Sequence, residues 1–491
     1  VPEAGRWQVA WWLGRWRDAP LAQRRTVRFV AVSTVAGLVV ATGAVAAAGP
    51  WDGGQRKAER DRAAAGTRAG GGDHGGAGRA GGAGAGRRAA PPVLGALGGG
   101  AARAAGLAGV LDPLLKDAAL GPEPSAAVYD AGTGERLYGA GQDTGYTPAS
   151  TIKLATAAAA LAALGPEHRI ETTVVAGSDG VVLVGGGDPT LTARPVKGEG
   201  PRFASLGDLA DATVKALKAR GTTRTRLAYD ASRYSGPPLH PIGPNENLAP
   251  VSALMADEGR LDDSDRGVAD RTAEPAADAA RKFAAMLRER GVEVEGEPAE
   301  GRADAKAERL ATVSSAPLAD LVERALTNSD NDVAEALARQ TALASGRPAS
   351  FEGAAQAVTE RLTGLGLPMA GVHIADGSGL DRSGRASADF LARLLLRSAS
   401  ADSARLRPVL TGLPVAGFTG TLRERYGREV AGRASVRAKT GTLTGVNTLA
   451  GTAVTAGGRL LVFAFMASGT ADAGGAQQAL DRLASALAEA G

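Results

Sequence analysis

Apolar and polar positions divide the chain into a short uncharged run, a Gly/Ala tract and a long patterned region. Phe29 to Gly49 is about 21 residues with no charge, long enough to cross a bilayer as a helix. Arg24, Arg25 and Arg28 precede it, so the positive-inside rule places residues 1–28 in the cytoplasm as a basic N-terminus. A signal peptide cleaved after small residues such as Ala44-Val45-Ala46 competes with a retained anchor. The length of the run favours the anchor. Residues 50–105 are dominated by Gly and Ala, cannot bury enough apolar area to fold, and read as a linker.

From residue 106 the pattern becomes that of packed elements. LAGVLDPLLKDAAL, from Leu107, predicts a short amphipathic helix. Ser125 to Gly139 predicts a β-hairpin turning at Gly132-Thr133-Gly134. Tyr146 to Gly165 predicts a buried helix, started by Pro148 and closed by Gly165-Pro166. Between 171 and 312 strands (181–184, 227–232, 292–298) alternate with helices (206–221, 277–291), and 235–250 is a Pro-rich ordered loop. Helices over 318–326 and 333–346 flank the polar loop Thr327–Asn331, Asp376–Asp381 is a turn, and 388–396 is helical. Three strands follow (435–442, 448–455, 459–466), then a closing helix with Leu480, Leu483 and Leu487 on one stripe. These pieces predict an antiparallel sheet framed by the first and last helices.

Composition narrows the chemistry. The chain has no cysteine, which removes disulfides, thiolate metal sites and a Cys nucleophile. Its four histidines are scattered, so no zinc site is expected; His168 and His240 read as structural or solvated. The net charge of +4 rests mainly on arginine, which cannot act as a base, whereas the scarce lysines can. No clustered basic face with interleaved aromatics follows residue 110, so nucleic-acid binding is not expected. Gly185-Gly186-Gly187-Asp188-Pro189 lacks the G-K-[ST] ending of a phosphate loop and reads as a tight turn.

Three short motifs then appear in order. Ser150-x-x-Lys153 places a hydroxyl and an amine on one helical face. Ser329-Asp330-Asn331 lies in the interhelical loop, and Lys439-Thr440-Gly441 on the late strand. Singly each is ordinary, since S-D-N is often a helix cap. Together and in this order they are the set of penicillin-recognising serine enzymes. Ser150 would attack a carbonyl, with Lys153 as proton acceptor, its neutral form favoured by the cation at Lys439 and by the helix dipole. Ser329 would relay a proton to the leaving nitrogen, and Asn331 would hold the substrate amide. Lys439 would attract a terminal carboxylate, helped by the hydroxyls of Thr440 and Thr442. The strand through Gly441 would pair with an extended substrate, and the backbone N–H groups of Ser150 and Thr442 would form the oxyanion hole. A His-based triad lacks a suitable serine: His373 near Asp376 is its one candidate histidine, and no G-x-S-x-G is present.

With these motifs, and with GGGDPTL from Gly185, APVSAL from Ala249, DGSGLDR from Asp376 and GFTGTLRERY from Gly417, the chain resembles class C low-molecular-mass penicillin-binding proteins, the D-alanyl-D-alanine carboxypeptidase/endopeptidase family. The resemblance spans roughly residues 105–491. It implies an α+β serine β-lactamase/DD-peptidase-like fold, with an antiparallel sheet, an all-α subdomain and inserted accessory domains. The peptidase domain would comprise 106–170 and 313–491, with 171–312 inserted, as the long gap from Ser150 to Ser329 suggests. The implied activity is D-Ala-D-Ala cleavage in peptidoglycan stem peptides, with acylation by β-lactams, no cofactor, and a location outside the cytoplasmic membrane. A β-lactamase and a non-catalytic wall-binding or sensor protein are the alternatives. No E-x-x-L-N follows Asn331, so the deacylating glutamate of class A β-lactamases is not visible. Asp257-Glu258-Gly259 is more acidic than the resemblance leads one to expect. Oligomeric state is not legible.

Overall fold

The structure, a computed structural model, describes residues 104–194, 203–427 and 430–490. The N-terminal basic segment, the apolar run 29–49 and the linker up to residue 103 lie outside the described residues. Among the described residues no helix is long and apolar enough to cross a membrane.

Helix α1 (Ala104–Leu115) leads into the hairpin β1 (Ser125–Asp130) and β2 (Arg136–Ala140). A 3-10 turn (Ala149–Ile152) runs directly into α2 (Lys153–Leu164). Pro148 therefore precedes a tight turn rather than the first turn of an α-helix, and Ser150 sits in that turn. Next come β3 (Glu171–Gly177), β4 (Gly180–Val184), α3 (Leu206–Ala219), β5 (Arg224–Asp230), α4 (Pro275–Glu289), the two-residue strands β6 (Glu293–Val294) and β7 (Ala299–Glu300), and β8 (Arg309–Ser314). The strand expected over 292–298 is thus mostly irregular: Gly296 takes a positive φ of 69°, which ends regular pairing there. The longer helices that follow are α5 (Leu318–Thr327), α6 (Asn331–Ala344), α7 (Phe351–Gly364) and α8 (Ala388–Ala399). The chain closes with β9 (Val436–Leu443), β10 (Val446–Val454), β11 (Leu460–Ser468) and α9 (Ala473–Glu489).

The main sheet is antiparallel, in the order β2-β1-β11-β10-β9. Both faces of its centre are covered, which is why β11 reads as a nearly unbroken apolar run. Val462, Ala464 and Met466 face α2 and α5–α8, while Phe463 and Phe465 face α1 and α9. This alternation is the two-residue period of a strand. The first and last helices pack on one face, and the helical layer carrying α2 and α6 packs on the other. That arrangement is the α+β architecture the sequence predicts.

A second, mixed sheet (β6-β5-β4-β3-β8, with β7 also on β5) is formed wholly by residues 171–314 and has its own apolar core with α3 and α4. This stretch is called the insert below. Its glycine run binds no phosphate loop geometry but a close crossing: Gln340 of α6 donates to the Gly186 carbonyl at 2.8 Å. A Cβ on Gly186 would meet the Glu171 carbonyl at 1.9 Å.

Candidate active site

The three motifs converge at one place. Lys153 is the first residue of α2, one turn on from Ser150, and its Nζ donates to Ser150 Oγ at 2.9 Å. The same nitrogen reaches Asn331 Oδ1 at 2.6 Å and the Ser378 carbonyl at 2.6 Å. Asn331 opens α6, capped by the Asp330 carboxylate on Val333 N–H at 3.1 Å. Lys439, in β9, donates to Ser329 Oγ at 2.9 Å and to the Thr440 carbonyl at 2.8 Å. Ser150, Asn247, Ser329, Asn331 and Thr442 line a cleft of about 210 Å³. A larger cavity of about 820 Å³ lies in the insert, beside Arg194, Asp257 and Arg290, and is lined by residues of none of the three motifs.

The turn holding Ser150 is constrained from every side. Ala149 adopts φ 49°, a left-handed conformation that costs a residue with a Cβ about 1–3 kcal/mol. Thr448 and Thr151 hydroxyls both donate to the Pro148 carbonyl, at 2.9 and 2.6 Å. Gly441 of β9 and Gly379 press against the same turn. A Cβ on Gly441 would meet Thr448 Oγ1 at 2.2 Å and the Pro148 carbonyl at 2.8 Å, and one on Gly379 would meet the Ala149 carbonyl at 2.1 Å. Glycine in the third motif is therefore a packing requirement as much as a strand feature. Ser329 is also left-handed, with φ 57°.

Burial sets the protonation of the two lysines. Lys153 is 1% exposed and Lys439 fully buried. Burial lowers Lys153 to about 8, and Asp376, Glu335, Asp330 and Asp332 resist that fall. Lost hydration, rather than a neighbouring cation, is thus what favours the free amine. Lys439 falls well below its ordinary value, first through burial and then through the charge of Lys153. Its amine is buried against Ser329 Oγ and the Thr440 carbonyl. Thr442 is exposed and lines the cleft, while Thr440 is half-buried, its hydroxyl donating to Thr421 Oγ1 at 2.9 Å. β9 is the edge strand of its sheet.

Behind Lys153 lies a polar support. The Asp376 carboxylate accepts from the backbone N–H groups of Gly379, Leu380 and Asp381 at 2.7–2.9 Å, and from Ser378 Oγ at 3.1 Å. Glu335 Oε1 accepts from Gly377 and Ser378 N–H at 3.0 and 2.9 Å. Together they aim the Ser378 carbonyl at Lys153. His240 is not solvated: it is buried, with Nε2 3.0 Å from Asp376 Oδ2 and its ring edge-on to Phe351. His240, Glu335 and Asp376 could in principle share a cation, but Asp376 is already satisfied by four donors and His240. The group is better explained as hydrogen bonding that fixes the loop.

Residues 107–266 and 261–487 match the D-Ala-D-Ala carboxypeptidase 3 (S13) family. The chain belongs to this family. Among curated proteins, a carboxypeptidase of Mycobacterium tuberculosis is 38% identical over 402 residues, covering 78% of this chain and 84% of that protein. Carboxypeptidase DacB of Mycolicibacterium smegmatis is 39% identical over 378 residues, covering 74% and 80%. Among solved structures, penicillin binding protein 4 from Haemophilus influenzae superposes with a TM-score of 0.62 at 22% identity, covering 79% of this chain and 98% of that one; this likeness concerns the fold.

The structure brings Ser150, Lys153, Ser329, Asn331 and Lys439 together as the three motifs imply, but sequence reasoning missed their support. Asp376 and Ser378 stood only as a turn and a family phrase. Glu335 lay unremarked on an apolar helix, where a buried carboxylate needing partners is itself a signal. Asn247, whose carbonyl accepts from Asn331 Nδ2 at 2.9 Å, sits in a Pro-rich loop with no chemical pattern.

Proposed function

We propose that this D-Ala-D-Ala carboxypeptidase works through an acyl-enzyme on Ser150. The observation that carries the reading is the single nitrogen of Lys153, within hydrogen-bond reach of both Ser150 Oγ and Asn331 Oδ1. Neutral Lys153 takes the Ser150 proton as Oγ bonds to the carbonyl carbon of the penultimate D-Ala. The carbonyl oxygen becomes an oxyanion facing the backbone N–H groups of Ser150 and Thr442. As the C–N bond breaks, the leaving nitrogen takes a proton through Ser329 Oγ, whose own proton is replaced by the one Lys153 took from Ser150, so Lys153 is neutral again. D-Ala departs and an ester remains. Water, deprotonated by Lys153, then attacks the ester and returns Ser150. Asn331 holds the substrate amide, and Thr440 and Thr442 bind the terminal carboxylate beside the strand through Gly441.

The substrate in this reading is the peptidoglycan stem peptide, and a β-lactam presents the same acylating carbonyl. Residues 171–312 are an accessory insert in the peptidase domain. The apolar run 29–49 holds the enzyme at the outer face of the cell membrane, the compartment where peptidoglycan lies. Labelled penicillin is expected to mark the wild-type chain and not Ser150→Ala; equal labelling of both sinks the acyl-enzyme reading. Assay of a pentapeptide beside a cross-linked dimer separates carboxypeptidase from endopeptidase action. Membrane fractionation of the full chain against a chain starting at residue 50 tests the anchor, with unchanged partition counting against it. A β-lactamase reading finds no support in Glu335, whose carboxylate is turned onto Gly377 and Ser378 rather than the cleft.

A further inference from the structure

The acidic turn Asp257-Glu258-Gly259 of the insert has no role in that chemistry, yet it is built at a cost. All three residues have positive φ, at 53°, 54° and 65°. Two of them carry a Cβ, so the turn stores strain that only surrounding contacts can hold. Glu258 is 3% exposed. Its carboxylate accepts from Arg260 Nε at 3.0 Å and from Arg324 Nη2 at 2.5 Å. Arg324 belongs to α5, and its Nε lies 3.1 Å from Asp330 Oδ2. Asp330 is the residue between Ser329 and Asn331. On its other side Arg271 of the insert pairs with Asp332 at 2.8 Å and donates to the Glu258 carbonyl at 2.6 Å. The Ala249 N–H donates to Asp332 at 3.0 Å. Three guanidiniums thus surround three carboxyl groups, whose oxygens lie within 4.8 Å of one another in a buried group, with Lys282 pairing to Asp257 at its outer edge.

We propose that Glu258 is a positioning residue: through Arg324 and Asp330 it locks the left-handed Ser329 turn, so that the insert completes the active site. Removing Glu258 leaves Arg260 and Arg324 without their carboxylate in a dry site, which is strongly unfavourable for a buried pair. Arg324 then turns wholly to Asp330, and the loop carrying Ser329 and Asn331 moves with it. A displacement of about 1 Å in such groups lowers rates by up to about a hundredfold. The substrate carboxylate site on β9 is not part of this group, so affinity before the covalent step is little changed. Burial and the adjacent Asp330 push Glu258 up to about 8 against the pull of Arg324, and its oxygens accept from Arg260 and Arg324 in either protonation state.

The inference rests on the acyl-enzyme reading, and the test separates the two. The full chain is mixed with labelled penicillin at several concentrations. The saturating rate constant of labelling and the half-saturating concentration are measured, with the end-point stoichiometry reporting folded enzyme. Failure of the wild type to label overturns the acyl-enzyme reading. With a labelled wild type, Glu258→Gln is expected to reach the same end point at least about fivefold more slowly, and Glu258→Ala at least about tenfold more slowly. Half-saturation should stay within about twofold, and Arg220→Ala, in the exposed pair with Glu308, should match wild type. If Glu258→Ala does not fold, the nearly isosteric Gln variant decides. Glu258→Gln labelling at the wild-type rate, whether to a full or a reduced end point, overturns the proposal. Ser329→Ala combined with Glu258→Gln should lose little beyond Ser329→Ala alone; additive losses count against action through that loop.

Discussion

Two buried lysines sit on opposite walls of the cleft, and their surroundings differ. Lys153, on the helical side, has four carboxylates acting on it from α6 and the Asp376 loop, so its amine titrates at about 8. Lys439, on the sheet side, has no such counter-charge, and the cation of Lys153 adds to the effect of burial. Equal burial therefore leaves a base poised near working pH on one side and, on the other, an amine with no carboxylate to offset its lost hydration. A lysine's role here is set by its counter-charges more than by its depth.

The largest test of this contrast is to delete each lysine. Lys153→Met is expected to lower acylation by roughly a thousandfold, within the usual range for losing a general base, while leaving the protein folded because a buried charge is removed. Lys439→Met should cost less, about a hundredfold, since Ser329 Oγ and the Thr440 carbonyl lose a donor but Ser150 keeps its base. Equal losses would erase the division of labour. Thr442→Val is next: loss of one hydroxyl to a carboxylate should raise KM for a pentapeptide about tenfold and leave the acylation constant unchanged. The smallest effect is on the pH profile. Protonated Lys153 cannot accept a proton, so kcat/KM should rise with pH and level off above about 8. Asp376 is the main charge holding that value up, so Asp376→Asn should move the rising limb to lower pH; an upward move would refute this account.

The reach of the sequence follows the range over which contacts act. Ser150 and Lys153 are one turn apart, so spacing alone brings them together. The β11 run and the Leu480/Leu483/Leu487 stripe give their elements directly through period. Ser329 and Lys439 were legible because their motifs have recognisable composition. The supports were not, since Asp376, Glu335, His240 and Glu258 meet only after distant segments fold. Helix α7 escaped for a different reason: its buried stripe, Phe351, Ala354, Val358 and Leu362, is diluted by alanines that also occupy the exposed face. Pro148 misled about the helix start because the turn after it is held by Thr448 and Gly441, which are far along the chain. The acidity of Asp257–Gly259 was visible, but its meaning depends on arginines of two other elements.

The order of strands in the main sheet bears on when this enzyme is assembled. β1 pairs only with β2 and β11, and its register joins Ser125 to Met466. Closing that contact requires nearly the whole chain, a search that long loops make slow. The lysine that meets Ser329 arrives on β9, whose partner strand in the sheet is β10 and whose other edge pairs with 414–416 only near its start. During synthesis, the hairpin and α2 precede these strands by more than 250 residues and the insert by more than 100. The serine therefore remains unarmed on an incomplete chain, and hydrolytic competence appears in one late step, with the arrival of the C-terminal strands.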